Sequence, residues 1–458
     1  MSENSKERLK EIVKNPFKSF YDLFNGIEKD EWPKVIAMAL FFFLVIAIFW
    51  ILKPMKRGLL VSFYQESPLE LLGMTLFGAE VEQLAKVLNM FFAFAMVVGF
   101  TWLYKRVSRK MLVTTVSMLF AGLFVLYGLL LQSPSPLEVW SFYIFGDMYN
   151  TALVTLFWAF TNDIFTSEEA KRSYGFVGLG GIIGGIVGAT YVTLLVEQLG
   201  RDSLLYMSVV PMFCIIGIAL YIEKREGLPQ KSESTGEAPK VNAVIDGAKL
   251  VLSSKYLLAI AAMLGIYEMV SNIVDFQLSA AIAMGVEGGL DRDAYFGLVG
   301  MVTNIAAVFV QIFLTGLVMT NFGVGIALLL LPISIALGSI GFFIIPGLLF
   351  ATIMSASDNS LNYSIQQSAK EALYTPTARD VKYKAKAFID MFIQRGAKVV
   401  AVFLNIGVAV AFGVENVFWL SLVVLFLIVI WIMLVRYMGR TFRSMEKDVI
   451  SEETIQTG

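Results

Sequence analysis

The chain has 458 residues, 57% of them hydrophobic and 16% charged, with a mean hydropathy of +0.71. A soluble fold of this size runs at about 45–50% apolar and about 25% charged, so this composition excludes one. The formal net charge of -1 offers nothing to a nucleic-acid polymer.

Histidine is absent and the only cysteine, Cys214, lies in an apolar run. Imidazole bases, Ser-His triads, thiolate metal clusters and an internal disulfide framework are thereby excluded. No cofactor and no enzymatic activity are expected.

A charged, helix-prone stretch, Lys6 to Lys18, opens the chain, and the first apolar run is Ile36 to Leu52. That run reads as a retained span and not as a cleaved signal. A spanning helix needs about 20 mainly apolar residues. Such segments are predicted at 34–53, 84–104, 111–131, 138–160, 174–198 and 203–222. Six more follow at 256–280, 295–319, 322–345, 347–369, 386–412 and 415–438, with joints at Asn321 and Pro346 short enough to merge neighbours.

The expected organisation is a tail (1–33), a six-helix half (34–222), a linker (223–255), a second six-helix half (256–438) and a C-terminal tail (439–458). The linker begins with the polar segment Glu223 to Ala243, which includes Lys224, Arg225, Pro229, Lys231, Glu233 and Lys240. After it, Val244 to Ser254 has the pattern of an amphipathic helix on a membrane surface.

Basic residues set the orientation. Lys6, Arg8, Lys10, Lys14 and Lys18, then Lys105, Arg106, Arg109 and Lys110, then Lys171 and Arg172 alternate with loops poor in positive charge. Lys370, Arg379, Lys382, Lys384, Lys386 and the tail residues Arg436, Arg440 and Arg443 continue that side. Both termini are therefore expected in the cytoplasm, with the chain in a bacterial inner membrane. The opposite loops hold little beyond Arg201 and Arg292, except for Lys53, Lys56 and Arg57 at the predicted close of the first span.

Ionisable groups inside a bilayer cost a few kcal/mol or more, so they face a wet cavity or a partner. In the seventh span Glu268, Ser271, Asn272, Asp275 and Ser279 share one helical face. The tenth repeats this with Ser355, Asn359, Asn362 and Gln366, beside Asp358. The fourth offers Asp147, Asn150, Thr151 and Thr155, and the eleventh Asp390, Gln394 and Lys398 with Arg395 adjacent. The plainer reading of any single Asn or Ser is a structural bond between helices.

In the fifth span Gly178, Gly180, Gly181, Gly184, Gly185 and Gly188 give GxxxG spacings, which permit close helix approach. No strand precedes them and no GK[ST] follows, which argues against a phosphate loop and against ATP hydrolysis.

Two sixes of spans around a charged linker resemble major-facilitator-type transporters. In those folds the first, fourth, seventh and tenth helices line the path, where the polar stripes fall here. Phe157-Trp158-Ala159-Phe160-Thr161-Asn162 and Glu169 to Gly175 resemble the nucleotide translocases, the ATP/ADP exchangers of plastids and obligate intracellular bacteria. Ile51 to Lys56, Lys370 to Pro376 and Lys382 to Asp390 are similar to the same family, and the likeness runs over about residues 30–440.

That resemblance implies four charged exchange residues, two lysines and two acids. The lysines match Lys56 and Lys398, and the acids match Asp275 and, within one residue, Asp147. Both acids are a methylene shorter than the family's glutamates. The surroundings also depart: Lys-Pro-Met-Lys-Arg-Gly lacks the family's acid near its lysine, and Gly396-Ala397-Lys398-Val399-Val400 replaces a Gly-Lys-Ser-Gly-like stretch.

The expected function is secondary transport of an anionic, phosphorylated solute by alternating access, most specifically ATP/ADP-type exchange. Lys56, Arg57, Arg395 and Lys398 would take phosphate oxygens, with Lys53, Asp147, Asn150, Glu268, Asn272, Asp275, Asn359 and Asn362 completing the substrate-binding path. Proton coupling through a desolvated Asp275 or Glu268 is one alternative. A non-transporting scaffold or sensor on the same fold is another.

Overall fold

In the computed structural model, residues 26–107, 109–226, 241–375, 377 and 379–457 are described. The N-terminal basic residues and the linker's Pro229, Lys231, Glu233 and Lys240 lie outside them. Apart from one small hairpin the described elements are helices.

The first half holds α1 (Trp32–Glu66), the strands β1 (Leu69–Leu71) and β2 (Met74–Leu76), then α2 (Gly78–Arg106), α3 (Arg109–Leu130), α4 (Pro136–Ile164), α5 (Ser167–Met207) and α6 (Val209–Glu226). After α7 (Val241–Ser253) come α8 (Lys255–Gly285), α9 (Gly289–Phe309), α10 (Gly316–Asn321), α11 (Val324–Ile344), α12 (Leu348–Leu361) and α13 (Gln367–Leu373). The chain ends with α14 (Arg379–Phe388), α15 (Gln394–Phe412) and α16 (Leu420–Thr457).

Among the described residues eight helical stretches are long and apolar enough to cross a bilayer. One of them, 172–226, contains two predicted spans: α5 breaks at Gly200, whose φ of 79° takes it out of the helix. The predicted second, fourth and tenth spans fall on α2, α4 and α12–α13. The joints at Asn321 and Pro346 separate distinct helices. Gly323, at φ 79°, opens the turn before α11.

Contacts divide the chain into two compact units. One gathers residues 26–226 with 282–305, the other 241–281 with 306–457. The segment 282–305 is thus grouped otherwise than in the division 34–222 and 256–438. The cause is local. Arg201 holds Asp293 through two bonds, Nε to Oδ2 at 2.5 Å and Nη2 to Oδ1 at 3.0 Å, and also donates to the Gly289 carbonyl at 2.8 Å. A side chain on Gly297 or Gly300 would collide with Thr193 or Trp50.

In the first unit α1 and α5 touch backbone to backbone. A Cβ on Gly180, Gly184 or Gly188 would strike the carbonyls of Ala39, Phe43 and Ala47 in turn. The GxxxG spacing therefore works as close packing, which is how helices gain dispersion energy where lipid removes the hydrophobic drive.

Charges fasten the start of α1. Thr166 and Glu169 form a capping box at the head of α5. Glu169 also takes a 2.6 Å hydrogen bond from Lys34, whose Nζ lies 3.6 Å from Glu226. Arg172 pairs with Glu31 and, at 3.3 Å, with Glu28, while Arg225 donates to the Asp30 carbonyl at 2.8 Å. Burial disfavours the Glu169 carboxylate, but its bonds to Lys34 and Thr166 outweigh that and hold its pKa below the ordinary value.

Two features differ from the sequence expectation. The helix of the first span runs on to Glu66, so Lys53, Lys56 and Arg57 sit in its interior and do not close it. The β1–β2 hairpin then turns through Leu72 and Gly73, both at positive φ as a tight hairpin turn requires. The amphipathic segment does form a helix, α7. Its Gly247 lies against the Lys384 carbonyl and Phe388 of α14, so this face packs on protein.

Candidate functional site

In the first unit the basic trio of α1 meets acids from two neighbouring helices. Lys56 forms an ion pair with Asp147 of α4, and its side chain is 5% exposed against 25% for the acid. Its ammonium also stands 4.3 Å from the Tyr143 ring centroid, a cation–π contact one turn before Asp147. Gly146 makes the room: a Cβ there would come within 2.8 Å of Lys56 Cδ. The lysine is thus held by one carboxylate and one aromatic face while the rest of it is wrapped in protein.

Arg57 turns to α2. Its Nε donates to Glu82 Oε1 at 2.7 Å, and Glu82 is fully buried, with Lys86 Nζ also 3.8 Å away. The guanidinium lies 4.5 Å from the Phe296 ring. Lys53 is half-buried, 4.4 Å from the Trp50 ring. All three cations are thus internal groups with acidic or aromatic partners, and not loop charges of the kind that set orientation. Asn150, one turn beyond Asp147 in α4, is half-buried.

The second unit is organised differently. Lys398 of α15 stands 3.6 Å from Glu268 of α8, and its side chain is 44% exposed. Asn272 accepts a 3.1 Å bond from Asn405, joining α8 to α15. Ser271 donates to Asp358 of α12 at 2.6 Å. Asp275, half-buried, accepts the Ser279 hydroxyl at its backbone carbonyl, and Asn359 bonds back to the Ser355 carbonyl at 2.9 Å. Asn362 opens a π-helical turn, Asn362–Gln366, and Arg395 is exposed at the start of α15. Two more π turns, Val310–Thr315 and Ile389–Ile393, interrupt helices of this unit. Such turns loosen the regular ladder and concentrate at functional places.

The structure therefore brings together Lys56 with Asp147, Lys398 with Glu268, and the α8 stripe with α12 and α15. Four contributors escaped the sequence reading. Tyr143 and Gly146 share a helix with Asp147, and the i, i+4 spacing of Tyr143 to Asp147 was a usable signal. Glu82 is an acid at the head of an apolar run, and nothing local marks it as Arg57's partner. The Arg201–Asp293 link joins residues far apart in sequence and has no local signature.

The bundle of long apolar helices, with buried, paired charges in the helices that carry polar stripes, has the architecture of a major-facilitator-like fold. Solved structures agree on the fold. The nucleoside transporter NupG, as a point mutant, superposes with a TM-score of 0.61 at 12% identity, over 88% of this chain and 99% of that one. The POT family transporter PepTSo gives 0.59 at 11% identity, over 90% and 98%.

The family follows from sequence. The family model described as TLC ATP/ADP transporter matches residues 10–137 and 133–442, and the chain belongs to that family. Among curated relatives it is 25% identical to ADP,ATP carrier protein 1, chloroplastic, of Arabidopsis thaliana, over 94% of this chain and 77% of that protein. It is 24% identical to ADP,ATP carrier protein 1 of Chlamydia pneumoniae, over 69% and 70%. With ADP,ATP carrier protein 3 of Rickettsia conorii it shares 27% identity, over 58% and 62%.

Proposed function

We propose that this protein exchanges nucleotides of the ATP/ADP type across a bacterial inner membrane, with both termini cytoplasmic and with Lys56 and Lys398 as phosphate-binding groups. The observation that carries the reading is the state of Lys56. It is a buried cation whose one carboxylate partner, Asp147, keeps partial solvent access, in a family whose relatives are named as ADP,ATP carriers.

A lysine so placed has two stable conditions: paired with Asp147, or bound to an incoming phosphate oxygen. Leaving it unpaired in a low-dielectric interior costs several kcal/mol. Phosphate therefore replaces the carboxylate, and the carboxylate returns when the solute leaves. Lys398 and Glu268 repeat the logic in a wetter setting. A carrier whose cations always need an anionic partner favours exchange over empty return.

The test is counterflow in proteoliposomes loaded with ADP, with labelled ATP outside. Saturable uptake that depends on internal nucleotide, and is lost in Lys56→Ala, is the expected result. No uptake of ATP, ADP or sugar phosphates, with Lys56→Ala behaving like wild type, overturns the transporter reading in favour of a static scaffold.

A further inference from the structure

Asp358 is the outstanding charge of the second unit. It is 1% exposed, in the interior of α12. One oxygen accepts the Ser271 hydroxyl at 2.6 Å, and the other, Oδ1, has no hydrogen-bond partner among the described residues. Charged and polar groups from neighbouring elements act on it. From α8, Glu268 and Asp275 act on it electrostatically, as does the Tyr267 hydroxyl on the same helix. From the following π turn comes Tyr363, which lies within electrostatic reach of Asp358, Asp275 and Lys398. The helix α11, which packs along α12, has no titratable side chain in Val324–Ile344.

An isolated buried carboxylate flanked by two further carboxylates is costly when ionised. The ion pairs found at Lys56, Arg57 and Arg201 are the usual remedy, and no ion pair is recorded for Asp358 among the described residues. The other remedy is a proton. Oδ1, without a hydrogen-bond partner among the described residues, can carry it, and Glu268, one turn from Ser271 on α8, is partly exposed to water.

We propose that Asp358 is a proton-binding site whose occupancy changes during the transport cycle. A proton from bulk water forms an O–H bond at Oδ1, neutralising the buried carboxylate. The same proton returns to water when the surroundings rearrange, leaving the anion. This inference rests on the transport reading above only for its second half; the binding of the proton does not.

The first arm of the test needs no solute. Infrared difference spectra of the purified protein across pH are expected to show the carbonyl stretch of a protonated carboxylic acid that fades as pH rises. Asp358→Asn removes that band, and Asp358→Glu retains a titrating one. Ser271→Ala, which deletes the donor favouring the ionised form, moves the midpoint upward by roughly one to two pH units. Identical spectra in wild type and Asp358→Asn, or no shift in Ser271→Ala, overturn the assignment.

The second arm uses vesicles holding ADP and a pH-sensitive dye, with ATP added outside. Proton movement accompanying ATP entry in wild type, and lost in Asp358→Asn, is expected. ATP entry with no proton movement in wild type overturns the coupling. If ATP does not enter but the Asp358 band titrates, the nucleotide reading fails alone and the proton site stands.

Discussion

Lys56 and Lys398 bring the same charge into helices of the two units, but their settings differ in kind. Lys56 is enclosed: α4 supplies Asp147, an aromatic face and, through Gly146, the space for its stem. Lys398 is almost half exposed, with its carboxylate at 3.6 Å, in a unit whose helices are interrupted by π turns. A buried pair is worth little net stability yet is expensive to break, whereas an exposed pair is nearly neutral either way. The first lysine is enclosed together with its partner, and the second is open to solvent beside a more distant one.

The contrast breaks most clearly with single deletions. Lys56→Ala is expected to destabilise the protein by about 3 kcal/mol, the low end for breaking a buried pair because Asp147 keeps some solvent access. Transport should fall with it, and adding Asp147→Ala should recover stability but not transport; denaturant unfolding in detergent beside counterflow measures both. If Lys56→Ala unfolds no more easily than wild type, the enclosed-pair description is wrong.

Gly146→Ala comes next. Overpacking costs about 1–3 kcal/mol, and here part of it is relieved by displacing the flexible lysine stem. The expected signature is a raised KM for ATP with the melting temperature lowered by less than in Lys56→Ala. Unchanged kinetics would mean that the lysine's position does not matter.

Lys398→Ala should leave stability within about 1 kcal/mol of wild type, since an exposed pair contributes little. It should still weaken ATP binding by about ten- to a hundredfold, the worth of one hydrogen bond to a charged group, and adenosine binding hardly at all. Isothermal titration with both ligands separates the two, and equal losses would show that the lysine only holds helices together.

The smallest effect is at the head of α5. The Glu169 pKa is depressed in the folded state, so its contribution is present above the unfolded value of about 4.3 and is lost as pH falls through the folded value. Melting temperatures of wild type and Glu169→Gln should therefore differ at neutral pH and converge in acid. Parallel curves would place the acid sensitivity elsewhere.

Much of this molecule was legible in the sequence because the bilayer is a strict solvent. Apolar length marks helices, and GxxxG spacing in the fifth span marked the face that meets α1. The Lys56–Asp147 pair could be anticipated from charge sign and family likeness. The continuation of α1 to Glu66 could not, since the apolar run ends at Leu52 and the contacts that line the extension come from far along the chain: Asp293 lies against Gly58, and Gly78 of α2 against the Val61 carbonyl. The π turns were equally hidden, because Asn362-Tyr363-Ser364-Ile365-Gln366 has no feature foreign to an ordinary helix. Asp358 was visible as an acid beside a stripe, but its lone oxygen depends on which helices surround it.

The glycine contacts between α1 and α5 have a mechanical consequence. With carbonyls of Ala39, Phe43 and Ala47 seated directly against Gly180, Gly184 and Gly188, no side chains lie between these backbones to act as a bearing. The two helices form a double-walled strut that resists sliding and bending as a single beam. Lys56 is mounted nine residues past Ala47, about 13 Å farther along the axis at about 1.5 Å per residue. Pro54 lies between the two and removes a hydrogen bond from the helix ladder, so Lys56 stands beyond the braced stretch, past the point where α1 is weakest.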